Sequence, residues 1–165
     1  MTPEPRLVRL LQTGYVLEAI VEGRSDQHRY VLGGSPEHDL VRELLADAHS
    51  ESQCHRQRLD ELLVDLGAEP VPSRVTRLVE AEYDSPHATV EAILTDQLCS
   101  ELSAYRFYDA VLDTVTEPSA DAVPATAVAA LEEIRAEERE GVSEVLALAG
   151  SLDVSTPVTA RRIRT

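Results

Sequence analysis

The sequence predicts an all-α protein, an antiparallel four-helix bundle with a long crossover between its second and third helices. Three observations lead there. Apolar residues recur at steps of three and four through long segments, the signature of one buried helix face. Helix start and stop residues bound those segments. Two of the segments also superimpose when the chain is shifted by 86 residues, which lays Ala48 on Ile134, Ser52 on Glu138, His55 on Gly141, Leu59 on Val145 and Leu62 on Leu148.

The first segment spans about residues 4–32 and closes on the glycine pair at 33 and 34. It reads as a helix, although its stretch "YVLEAIV" could also be read as a strand. The second begins at "SPEH", with Ser35 as N-cap, Pro36 where its missing N–H costs nothing, and Glu37 near the positive end of the dipole. It runs to Leu66, where Gly67 supplies a left-handed cap residue and Pro70 and Pro72 forbid continuation. Residues 68–85 form the long connection, and "RVTRLVEAEY" within it reads either as a short helix or as a frayed lead-in. "DSPH" at 84–87 repeats the Ser-Pro start for the third segment, "TEPSADAVP" at 116–124 breaks it, and the fourth ends at Gly150. Residues 1–150 therefore form the bundle, and 151–165 a flexible tail whose three arginines could alternatively dock on the acidic body.

Charge narrows the function. The formal net charge is −15 and every basic residue is Arg, with no Lys. So acidic a chain lacks the basic footprint that DNA, RNA or an anionic membrane requires, so no nucleic-acid or membrane partner is expected. The same composition fits a protein of a salt-accumulating halophile, or an acidic protein from any high-GC genome. An apolar fraction of 43% argues for a packed domain over disorder. No signal peptide or apolar run of membrane-spanning length is evident, which makes the cytoplasm the expected location. Cys54 and Cys99 are too few and too isolated for a disulfide framework or a zinc knuckle.

Polar residues interrupt the buried stripes. The second segment steps through Val41, Leu44, Ala48, Ser52, His55, Leu59, Leu62 and Leu66, so Ser52 and His55 face inward. The third steps through Val90, Leu94, Gln97, Glu101, Tyr105, Tyr108 and Leu112, and the fourth through Leu131, Ile134, Glu138, Gly141, Val145 and Leu148. A weaker match of "SDQHRY" at 25–30 with "SAYRFY" at 103–108 pairs the first segment with the third.

With these features the sequence resembles the ferritin-like and rubrerythrin-like bundles: "SPEHDLVRELLADAHSESQCHRQRLDELLVDLG" looks like the family's second helix and "AVAALEEIRAEEREGVSEVLALAG" like its fourth. The resemblance covers roughly residues 8–150. It implies a centre built from one Glu on each of two helices and a Glu-x-x-His pair on each of the others, a set suited to iron or manganese. Carried over, His55 stands at the second-helix histidine with Ser52 in place of its Glu, and Glu138 at the fourth-helix Glu with Gly141 in place of its His. Glu101 fits the third-helix Glu. On the first helix the repeat lands on Gly23, with Glu22 and Glu18 as neighbouring substitutes.

The metal set read this way is His55, Glu101 and Glu138, completed by Glu22 or water, and holding at most a single iron or manganese ion. Glu51, Cys54 and Glu137 lie about a hundred degrees off the stripe by helix geometry. The competing reading is a metal-free polar cluster that fixes helix register. Tyr105 and Tyr108 read as core residues with a polar handle, or as radical carriers if a metal lies close.

The expected function is a ferritin-like scaffold or binding protein with a partly eroded di-metal site and no catalytic residues, paired as a homodimer as the resemblance implies. The alternative is a rubrerythrin-like di-iron oxidase or peroxidase with non-standard ligands, although no cysteine-pair rubredoxin module is present to deliver electrons. Iron storage in a cage would need ferroxidase ligands and assembly surfaces that the sequence does not display. No nucleotide, phosphate or hydrolase motif stands out.

Overall fold

The computed structural model describes residues 5–81, 87–117 and 123–156. The first helix, α1 (Pro5–Val31), buries Leu7, Leu11, Gly14, Glu18, Val21, Ser25 and His28. Those steps of three and four trace one face. "YVLEAIV" is therefore helix, not strand. Four of these seven positions are glycine or polar, which explains why the segment's amphipathicity is faint in the sequence.

Helix α2 (Pro36–Asp65) starts as its residues dictate: the Ser35 hydroxyl accepts a hydrogen bond from the His38 backbone N–H at 3.2 Å, with Pro36 in the first turn. It ends where Gly67 takes a left-handed φ of 68° and the Ala68 N–H returns to the Leu63 carbonyl at 2.9 Å. Arg42 ties the α1–α2 turn by donating to the Leu32 and Gly33 carbonyls at 3.0 and 2.7 Å.

The connection contains a true helix, α3 (Ser73–Ala81), which packs on α1. Helix α4 (Val90–Thr116) begins at Thr89, whose hydroxyl accepts from the Ala92 N–H at 3.2 Å. The Ser85-Pro86 start expected from "DSPH" lies outside the described residues. Helix α5 (Ala125–Ser151) follows Pro124.

The four long helices form two hairpins, α1 with α2 and α4 with α5, joined by the crossover that carries α3. Contacts of Ser25 with Gln97 and of Glu18 with Tyr108 run in opposite senses along the chain, so α1 and α4 are antiparallel. The bundle and its crossover are as the sequence predicts. Among the described residues, no helix is long and apolar enough to cross a membrane.

The apolar core is in two parts. One contains Leu7, Leu11, Leu59, Leu63, Leu112 and Ile134; the other contains Val41, Leu45, Ile93, Leu98, Val142 and Val145. Each fully buried aliphatic side chain contributes about 1.5–3 kcal/mol. Leu44, Leu66 and Leu148, expected inside, are half-buried, while Leu45, Leu63 and Ala149 are buried beside them. Tyr105 is also half-buried. Of the expected tail, Leu152 and Val154 pack on the second core cluster, and residues 157–165 lie outside the described residues.

Candidate metal centre

Between the two apolar clusters lies a layer of buried polar side chains, one or more from each long helix: Glu18 (0% exposed), His55 (1%), Glu138 (4%) and Glu101 (6%). Ionisable groups this buried are costly unless paired with one another or with a metal.

His55 is the hub. Its Nδ1 lies 3.0 Å from Glu138 Oε1 and 3.3 Å from Glu18 Oε1, but neither contact is aligned as a hydrogen bond. Its Nε2 contacts Glu137 Oε2 at 2.8 Å. Glu137 is in turn held by Arg58, whose Nη1 and Nη2 donate to its two oxygens at 2.7 and 3.2 Å. Glu51 stands 3.8 Å from the same Nε2. Glu18, His55 and Glu138 present three ligand atoms close enough to share one ion, and Glu51, His55 and Glu137 form a second such group on the outward side.

Glu18 has a further partner, since the buried Tyr108 hydroxyl donates to its Oε1 at 2.6 Å. Gly14 makes room for this: a Cβ there would lie 3.3 Å from the Tyr108 oxygen and 3.2 Å from Phe107. The other oxygen, Oε2 of Glu18, is buried without a hydrogen-bond partner.

Glu101 behaves differently. Its Oε1 accepts from Gln97 Nε2 at 2.6 Å, and Gln97 Oε1 accepts from the Ser25 hydroxyl at 3.1 Å. Its carboxyl lies close enough to that of Glu138 for each to act on the other's ionisation. A Cβ built on Gly141 would overlap Glu101 Oε2 and lie 2.8 Å from the carboxyl carbon. The side chain thus occupies the place from which a histidine at 141 would project.

Electrostatics follow burial. Burial alone would lower the His55 pKa, but the Glu138 and Glu18 carboxyls around it win and push it up to about 11. Burial raises Glu101 to about 7 against the hydrogen bonds from Gln97 and Glu138, with Glu51 and Glu18 adding to the rise. Burial, reinforced by Glu18 and Glu101, also drives Glu138 well above the usual carboxyl range, against the opposing contact with His55. Burial of Glu137 acts to raise its pKa, but hydrogen bonds from Arg58 and His55 hold it below its ordinary value.

Of the residues singled out in the sequence, His55, Glu101 and Glu138 meet in the layer as expected. Glu22 does not. It is ion-paired to Arg56 and accepts from Gln53 Nε2 at 2.9 Å, on the outer side of α1, because α1's buried stripe passes through position 18. Glu18 takes the inward place, and its partner under the internal repeat is Glu101, five residues off the register that pointed to Gly23. Counting from Leu7 and Leu11 in steps of three and four would have found it. Glu137 was set aside on helix phase, yet its long side chain reaches back to His55. Cys54 and Cys99 are exposed free thiols.

Four helices converging carboxyl and imidazole groups on their shared axis define the class: this is a ferritin-like helical bundle. Among solved structures it is similar to the dodecameric thioferritin of Bacteroides fragilis, a bacterioferritin-related protein, with a TM-score of 0.77 and 18% sequence identity over 92% of this chain and 89% of that one. No protein-family model and no curated protein matches the sequence. At this identity the likeness establishes the fold.

Proposed function

We propose that this bundle binds one transition-metal ion, iron or manganese, between Glu18, His55 and Glu138, and acts as a binding protein and not as a di-iron oxidase. The observation that carries the reading is the inequality of the two halves of the layer. On one side, Glu18 Oε2 and His55 Nδ1 are buried ligand atoms without hydrogen-bond partners, and carboxylate with imidazole suits these metals. On the other, the Glu101 carboxyl closes the space at Gly141 and accepts from Gln97. A second ion would need ligands that Ser52 and Gly141 do not supply, against the repulsion of the first.

The protein's own residues set the terms of binding. The Glu137–Arg58 pair engages Nε2 of His55 and so directs Nδ1 inward, the arrangement by which an outer carboxylate orients a ligating histidine. Because His55 must lose its inward proton to bind, loading releases protons and weakens with falling pH. A bound ion would supply positive charge in place of the His55 proton, among the acids of the layer.

Homo-oligomerisation is part of the same proposal. The Bacteroides fragilis thioferritin is a dodecamer, and this chain exposes Tyr30, Val31 and Leu40 around the α1–α2 turn. Mass measurement in strong salt would separate a dimer from a larger shell.

The test is metal analysis of protein purified without chelator and then loaded with iron. One ion per chain, lost on His55→Ala, is the expected result. Two ions per chain with peroxide turnover would establish the oxidase reading instead, and none at all would leave a purely structural polar layer.

A further inference from the structure

A second group of ligand side chains lies near the far end of α1, away from the Glu18, His55 and Glu138 set. His28 on α1, His87 just before α4 and Asp96 on α4 bring three ligand atoms within 4.8 Å of one another. We propose that they form a separate metal site for a borderline divalent cation, zinc foremost.

Geometry supplies the first argument. His28 Nδ1 lies 3.8 Å from Asp96 Oδ2, and His87 Nε2 lies 3.8 Å from Asp96 Oδ1. Ligand atoms around a tetrahedral ion with bonds of about 2.0–2.1 Å stand roughly 3.3 Å apart. Closure therefore asks for shifts of about half an ångström to one and a half. His87, exposed and on a non-helical stretch, is free to make them.

The second argument is independent of spacing. His28 is 2% exposed, and its Nδ1 is buried with no hydrogen-bond partner. A buried imidazole nitrogen left in this way is unusual, because such groups are normally satisfied by protein or water. The His28 and His87 rings are stacked, with centroids 5.4 Å apart. Beside His87 and Asp96 a surface depression of about 480 Å³, bordered by Thr89, Glu91 and Cys99, gives access from solvent.

Arg24 decides which cation fits. It grips both oxygens of Asp96, through its Nε at 2.7 Å and a second, shorter contact from Nη2. That pairing cancels most of the carboxylate's charge. Hard cations such as Ca²⁺ and Mg²⁺, which depend on anionic oxygen, gain little here. The two imidazoles remain the strongest donors, and imidazole favours zinc, copper and nickel.

Zinc titration of the full chain by calorimetry, with the optical spectrum of the cobalt-substituted protein, tests the site. The unaltered protein is expected to take up two equivalents. His87→Ala, at an exposed position and so without effect on helicity, should lose one equivalent and the corresponding cobalt band. Glu137→Gln should weaken only the other. His28→Gln, which keeps a polar side chain in the buried place, should reproduce the loss seen with His87→Ala. If zinc uptake is the same with and without His87, the proposal is wrong, whatever becomes of the His55 centre.

Discussion

The two halves of the buried layer are built alike and filled differently. Glu18 and His55 face Glu138 on one side, with His55 Nδ1 3.0 Å from Glu138 Oε1 and 3.3 Å from Glu18 Oε1. On the other, Glu101 occupies the space beside Gly141 and is tied to Gln97. Interiors fill to crystal-like density, so space beside a glycine in a packed core does not stay empty. Here the Glu101 carboxyl fills it. With Ser52 and Gly141 at these positions, the second half lacks room as well as ligands.

The comparison can be broken most forcefully at His55. His55→Ala strands two buried acids without their cation, and unfolding by urea near neutral pH should show a loss of about 3 kcal/mol or more. A loss below about 1 kcal/mol would mean that the acids are content as neutral groups. Rebuilding the closed half is the next largest effect: Ser52→Glu combined with Gly141→His restores both missing donors, and iron per chain should rise from one to two. If the count stays at one, Glu101 cannot be displaced.

Gly141→Ala sharpens the same point alone. It gains up to about 1 kcal/mol in helix propensity, yet overlaps the Glu101 carboxyl, and overpacking of this kind costs about 1–3 kcal/mol. A net drop in melting temperature is expected; a rise would show the carboxyl to be loosely held. On the open half, Glu137→Gln removes the outer anion behind His55 and should weaken metal binding about 10–100-fold with little change in fold.

The smallest effect is a pH dependence. Glu101 has a folded-state pKa raised by burial from 4.5 to about 7, so the fold favours its neutral form. Its contribution to stability is full below pH 4.5 and is lost as pH rises through 7. His55, raised to about 11, adds stability that is full below its unfolded value of 6.5 and lost as pH climbs through 11. Metal-free protein should therefore be more stable near pH 5 than near pH 8, and Glu101→Gln should flatten the first part of that decline. An unchanged slope in the variant would locate the titrating group elsewhere.

Much of this was legible beforehand, for reasons that differ by element. Ser35-Pro36 and Gly67 mark α2 because caps act locally, and local chemistry is written in adjacent residues. His55, Glu101 and Glu138 were legible because each interrupts an otherwise apolar stripe. Glu18 was not separated from Glu22 because α1's own stripe contains Gly14, Ser25 and His28, and a face that is half polar hides its phase. Glu137 was passed over because helix phase fixes where a Cβ points, not where a long side chain ends. The filling of Gly141's space by Glu101 depends on two helices meeting, and no single segment contains it.

The ionisable belt between the two oily clusters also bears on how the chain finds its shape. Sliding α1 by one turn against α4 would set Glu18 opposite hydrocarbon and strip Tyr108 of its acceptor, so misaligned hairpins are penalised as soon as they collapse. Greasy ends supply the adhesion; the charged waist supplies the ruler.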